Sequence, residues 1–248
     1  HLEHGCRRPQ RLDARRVAGQ DDAKCVGARE IADHRRPSTP DTLVEDREIE
    51  RIVSKQQELG LRGITDGELR RSWWHLDFLW GLTGVGRHTV EHGGAVAGTA
   101  TRTEGVRVEG KIGFADHPML EHFGFLKAHA RALPKLTIPA PSALYGRPQR
   151  PPIDADAYPS LDELFADLGH AYRAAVNAFA AAGCRYLQLD EVFIAMLCDP
   201  AYRQKMAERG DDPQRLAHLY SDLINTAVAD APADMTVTLH LCRGNYKS

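Results

Sequence analysis

From Val44 onward the apolar positions change period several times, and each change marks an element. Val44, Ile49, Ile52, Val53 and Leu59 fall near helical spacing on a charged background, and Gly60 supplies a stop. "LRGIT" then reads as a short strand, and "LPKLTIPAPS" as a second one closed by two prolines. Between them residues 86–117 are rich in Gly and Thr, and the alternation around Glu104-Gly105 in "TATRTEGVRVEGKI" predicts a hairpin excursion outside the main core. Ser160 and Glu163 have the spacing of a capping box. They precede a sustained apolar stripe from Leu161 through Leu168 and Tyr172 to Phe179. Gly183 ends that helix, and "CRYLQLD" reads as a buried strand. Asp199-Pro200 and Asp212-Pro213 each have the form of an N-cap followed by proline at the first helical position. The second opens a helix with Leu216, Tyr220, Leu223 and Val228 on one side, and "MTVTLHLC" follows as the last strand.

Strand and helix therefore alternate, with helices long enough to cross between parallel strands, and the expected class is α/β. An open doubly wound sheet and a (β/α)8 TIM-type barrel share this rhythm. No Gly-rich phosphate fingerprint follows a strand: "GGAVAG" lacks both a preceding strand and a following Lys-Ser/Thr. The barrel is the expectation on that ground. About four strands are legible after Val44, whereas a closed barrel of this kind has about eight, so the barrel is expected to be incomplete. An unclosed barrel would expose edge strands and apolar faces, which predicts self-association. Residues 1–43 are dense in Arg, Asp and His without any period, and are read as a poorly ordered segment ahead of a barrel domain over 44–248.

Composition narrows the partners. With 248 residues, Lys+Arg 32 against Asp+Glu 34 and a net charge of -2, the chain suits one domain with a small-molecule ligand. Nucleic acid and an anionic membrane are not expected. No run reaches the roughly 18 apolar residues of a membrane span, and "HLEHGCRRPQRLDARR" has no apolar core of a signal peptide, so a cytoplasmic location is expected. Five scattered cysteines argue for reduced thiols that a metal could use.

Polar residues collect where the strands end: Asp66, Gly67 and Glu68; Pro139 to Ser142; Asp190 and Glu191; His240 and Cys242. In a parallel barrel such ends converge on one mouth. His240 and Cys242 are two apart on a strand and so share a face, and imidazole nitrogen with thiolate sulfur suits Zn2+. The pair also fits a packed cysteine beside a hydrogen-bonded histidine. Glu68 equally fits a carboxylate at a helix start, and Asp190 and Glu191 fit ordinary strand-end acids. Trp73, Trp74 and Trp80 suit a pocket wall or core packing, His75 a structural histidine, and Cys184 and Cys198 buried inert thiols.

Taken together, "ITDGELRRSWWHLDFL", "GCRYLQLDE" and "HLCRGNY" resemble the cobalamin-independent methionine synthase family. The likeness is to its shorter, single-barrel methionine-synthase-like members, which belong with the uroporphyrinogen decarboxylase-like barrels, and it runs from about Val44 to Ser248. It implies a zinc-dependent transfer of methyl from 5-methyltetrahydrofolate, or its polyglutamate, to the thiol of homocysteine, giving methionine. By the match of "HLC", His240 and Cys242 would be zinc ligands. By the matches of "DGE" and "QLDE", Glu68 and Asp190 would hold the ammonium of homocysteine. The family completes its zinc site with a Glu and a second Cys from later strands. Six residues follow Cys242 in this sequence, so half of the ligand set is expected here. The family's opening strand is absent from "HGCRRPQRLDARR", which keeps an Arg-Pro element. An altered reading frame or misplaced gene start is the hypothesis for residues 1–43, and finding no family-like strand in the other upstream frames would refute it. Two alternatives stand beside this reading: a related barrel methyltransferase acting on another thiol or methyl donor, and a fragment without catalytic function.

Overall fold

Four short parallel strands form the main sheet of the described residues. The structure, a computed structural model, describes residues 40–89, 104–149 and 151–242, and all of these belong to the unit Pro37–Ser248. Strands β1 (Gly63–Ile64), β4 (Leu133–Pro139), β5 (Tyr186–Glu191) and β6 (Thr236–Leu241) make one sheet in the order β1-β4-β5-β6. Every pairing in it is parallel. Helix α1 (Pro40–Glu58) precedes β1, and the other helices among the described residues lie in the connections: α2 (Leu76–Trp80), α3 (Pro118–His129), α4 (Leu161–Ala181), α5 (Phe193–Met196), α6 (Pro200–Glu208) and α7 (Pro213–Val228). The class is α/β, as parallel strands joined by helical crossovers require.

Local chemistry explains the element boundaries. The Ser160 side chain accepts from the Glu163 N–H at 3.3 Å to start α4, and the turn after that helix uses Gly183 at φ +94. Asp199 and Asp212 cap α6 and α7 by accepting from Ala201 and Gln214, each at 2.9 Å, with proline following. Helix α1 begins at Pro40, before the compositional change at Val44. It buries Ile49 and Val53 against Ile64 and Leu126, while Val44 and Leu59 face solvent. The segment read as poorly ordered falls, for residues 1–39, outside the described residues.

The excursion expected over 86–117 departs from the expectation in where its strands pack. Strands β2 (Thr83–Thr89) and β3 (Glu104–Gly113) pair antiparallel as a separate two-stranded sheet. Glu104 and Gly105 are not at a turn; they lie inside β3, paired with Thr89 and His88. Nor does the pair stand apart from the core, because Val85, Val106, Val108 and Ile112 are buried in the main apolar cluster with Phe123, Leu168 and Phe179. Alternation identified the strand, but the partner that buries one of its faces lies far away in sequence.

Candidate functional site

Because the four central strands run the same way, their C-terminal ends share one edge of the sheet, the edge where open and closed parallel sheets place ligands. Burial alternates along β5: Leu187, Leu189 and Glu191 are buried, whereas Tyr186, Gln188 and Asp190 on the opposite face are half-buried. Partners in a parallel ladder present the same face, so the register extends this second face into three rows. These are Lys135–Tyr186–Thr236, Thr137–Gln188–Thr238 and Pro139–Asp190–His240, the last at the strand ends. His240 thus stands directly beside Asp190. His240 is exposed, and the half-buried Cys242 continues the ladder by donating its N–H to the Glu191 carbonyl at 2.8 Å.

Glu68 reaches the same face from the turn after β1. Gln56 of α1 brackets Thr65, donating to its carbonyl at 2.8 Å and accepting from its N–H at 3.0 Å. Asp66 then accepts from the Glu68 N–H at 2.9 Å, and the chain turns through two left-handed residues, Gly67 at φ 68 and Glu68 at φ 58. A left-handed backbone is unfavourable for a residue with a Cβ, so the surrounding contacts must hold it. Thr137 of β4 donates its hydroxyl to Glu68 Oε1 at 2.5 Å, and Arg71 Nη1 lies 3.3 Å from the same oxygen. The Arg71 side chain is 4% exposed; it also donates to the carbonyls of Thr137 at 2.5 Å and Trp74 at 3.4 Å. Three of the four residues singled out in the sequence, Glu68, Asp190 and His240, therefore fall on one side of one sheet. Asp190 and His240 lie on adjoining strands, Cys242 follows just past the end of β6, and Glu68 is moored to the strand on the other side of Asp190.

The two neighbouring acids diverge. Asp190 presents its carboxylate to the polar face, where Gln188 donates to Oδ1 at 2.6 Å. Glu191 turns the other way and is fully buried; Ser142 donates to it at 2.5 Å and the Ile194 N–H at 2.8 Å. Burial, aided by the Glu191 charge, raises the nearby Tyr172 hydroxyl far above its ordinary range. Glu191 is thus a structural carboxylate at the start of α5.

His75 is also structural. It is buried, accepts a hydrogen bond from Arg147, and lies 4.5 Å from the Trp74 ring. Burial first, then the Arg147 charge, lowers its pKa to about 3, which keeps the ring neutral. Trp73 donates to Glu104 at 3.1 Å and Trp80 to the Gly105 carbonyl at 3.0 Å, so both indoles tie the segment to β3. Cys184 is buried, and burial raises its thiol pKa; Cys198 is exposed, contrary to the expectation of a buried thiol, because it lies in the short turn between α5 and the Asp199 cap of α6.

Among the described residues no group of three or more His, Cys, Asp or Glu side chains is set to hold a metal. His240 and Cys242 supply two donors, nitrogen and sulfur, of the four that a tetrahedral zinc takes, and they fit that ion as a partial set. Arg71, Thr137, Gln188 and Lys135 were not singled out in the sequence. The signals for them are Arg71 at three residues from Glu68, Gln188 at two from Asp190, and two polar residues alternating within "LPKLTIP".

No family model matches the sequence. Two proteins of Bacillus subtilis (strain 168), YxjH and YxjG, both uncharacterized, are each 44% identical to it, over 206 and 207 residues. Each match covers 83% of this chain and 54% of the relative, so the chain spans about half the length of the curated relatives it matches. A crystal structure from Listeria monocytogenes, provisionally named a vitamin-B12 independent methionine synthase, superposes with a TM-score of 0.65 at 39% identity. That match covers 83% of this chain and 56% of the other. A B12-independent methionine synthase from Shewanella sp. W3-18-1, solved in complex with selenomethionine, gives a TM-score of 0.58 at 18% identity, covering 84% and 54%. The latter likeness speaks for the fold alone. Among the described residues no helix is long and apolar enough to cross a membrane.

Proposed function

We propose that this chain is part of a methionine-synthase-like methyltransferase that carries a methyl group from 5-methyltetrahydrofolate to the thiol of homocysteine. The observation that carries the reading is the placement of Asp190 beside His240 at the strand ends, with Glu68 fixed to the adjoining strand. The likeness to the Listeria monocytogenes structure supports it. We read the parallel sheet as one arc of a (β/α)8 barrel whose polar rows face inward, since spatial order follows chain order and helices fill every connection.

Glu68 and Asp190 would receive the substrate ammonium between two carboxylates, which fixes the amino acid by charge and direction at once. Arg71 and Thr137 both engage Oε1 of Glu68 and so hold its carboxylate in one orientation. His240 and Cys242 would hold zinc, which when bound keeps a thiol in its nucleophilic thiolate form at neutral pH. Removing the sulfur donor by Cys242→Ser would weaken that hold.

The test is to load the chain with zinc, supply methyl-labelled 5-methyltetrahydrofolate and homocysteine, and follow labelled methionine. Labelled methionine that disappears in Cys242→Ser is expected. A zinc-loaded chain that methylates a different thiol but not homocysteine would redirect the reading to a related methyltransferase. One observation favours a second reading: because the chain spans about half of its relatives, the methyl transfer could require the remaining half. On that reading zinc binds without turnover, and Leu239 and Leu241, 42% and 54% exposed on β6, mark where self-association occurs.

A further inference from the structure

Gln188 bridges two charges on the polar face. Lys135 Nζ donates to Gln188 Oε1 at 2.7 Å, and Gln188 Nε2 donates to Asp190 Oδ1 at 2.6 Å. The chemistry of the end groups fixes which way the amide points. An ammonium can only donate, so it must take the amide oxygen; an ionised carboxylate can only accept, so it must take the NH2. Lys135 is itself held over the Tyr186 ring, its nitrogen 4.9 Å from the centroid. The register stacks these groups along the sheet face: Lys135 and Tyr186 in one row, Gln188 beside Thr137 in the next, and Asp190 in the last.

We infer that Gln188, locked by Lys135, is a positioning residue that presents Asp190 to an ammonium-bearing thiol substrate. This deepens the proposed function and rests on its assignment of Asp190 as an ammonium partner. With Oδ1 held by Gln188, rotation of the carboxylate is restricted and its second oxygen is left to receive the substrate. A charged group at each end of the amide polarises both hydrogen bonds in the same sense, so each strengthens the other. Glu68 is held by a comparable device, Thr137 from β4 and Arg71 from its own segment three residues on. The two acids thus form a clamp with each jaw fixed from behind.

The experiment compares homocysteine with 4-mercaptobutanoate, the same molecule without its amino group, by calorimetry on the zinc-loaded full chain. The wild type is expected to bind homocysteine at least about tenfold more tightly. Gln188→Met and Lys135→Met are each expected to lose most of that preference while keeping wild-type affinity for 4-mercaptobutanoate, and Lys135→Arg is expected to recover part of it. Intact binding of the amino-free thiol shows that a variant is folded. In parallel, nuclear magnetic resonance of the Gln188 side-chain amide should show slow hydrogen exchange in the wild type and fast exchange in Lys135→Met. Variants that keep the wild-type preference, or an amide that exchanges fast in the wild type, would overturn the inference. A wild type with no preference but a protected amide would instead overturn the clamp in the proposed function and leave the lock on Asp190 standing.

Discussion

Strands β5 and β6 lie side by side in register and carry similar apolar residues, yet they meet different fates. Leu187 and Leu189 are 0% and 1% exposed, whereas Leu239, the direct partner of Leu189, is 42% exposed and Leu241 is 54% exposed. Leu187 and Leu189 join the cluster with Leu168, Tyr172 and Val176 of α4, a cover that does not extend to the end of β6. The polar faces differ as well. Asp190 is braced from below by Gln188, while the neighbouring His240 is open to solvent. An apolar alternation therefore specifies a strand, and a third element decides whether that strand is core or edge.

The largest effect that would sharpen the contrast is in the core. Leu187→Ala should lower stability by about 3 kcal/mol, because it removes a buried side chain from a packed cluster. Leu241→Ala should change it by less than about 0.5 kcal/mol. Urea unfolding midpoints of the two variants check this, and equal losses would erase the comparison. Next comes the buried acid: Ser142→Ala deprives Glu191 of a hydrogen bond where water cannot replace it, at a cost of about 2 kcal/mol. His240→Ala, one strand away and exposed, should leave the unfolding midpoint nearly unchanged.

The third effect is a pH dependence that belongs to the buried side alone. His75 has a pKa of about 3 in the folded chain against 6.5 unfolded, so between these values the unfolded chain binds more protons. The stability it contributes is fully present above pH 6.5 and is lost as pH falls toward 3, with a slope of up to about 1.4 kcal/mol per pH unit. Burial lowers the pKa of His117 too, which adds to the slope with the same sign. Unfolding midpoints from pH 7 to pH 5 should fall in the wild type and fall less in His75→Gln. A flat wild-type profile would show that His75 is protonated in the folded chain.

Features set by neighbours in sequence were legible before the structure. The caps at Ser160, Asp199 and Asp212 need only the next two or three residues, and the period of α4 is its own evidence. Features set at a distance were not. Arg71 meets Thr137 across 66 residues and Lys135 meets Gln188 across 53, and no local pattern encodes either pairing. The alternation around Glu104-Gly105 announced paired strands but not that Val106, Val108 and Ile112 on one face join the main core, because the residues that cover them are distant in sequence. Asp190 and Glu191 looked equivalent as letters; alternation separates them only once the face covered by α4 is known.

The left-handed turn at Glu68 constrains how this surface can drift over generations. Glycine at 68 would relieve about 1 kcal/mol of backbone strain. The same change would strand the guanidinium of Arg71, which is 4% exposed, without its carboxylate, and an unpaired buried cation costs more than the turn would gain. Neither codon can move first without loss. Lineages that abandon the acid at 68 should have exchanged the arginine at 71 as well, so the two positions ought to covary as a unit across divergent genomes.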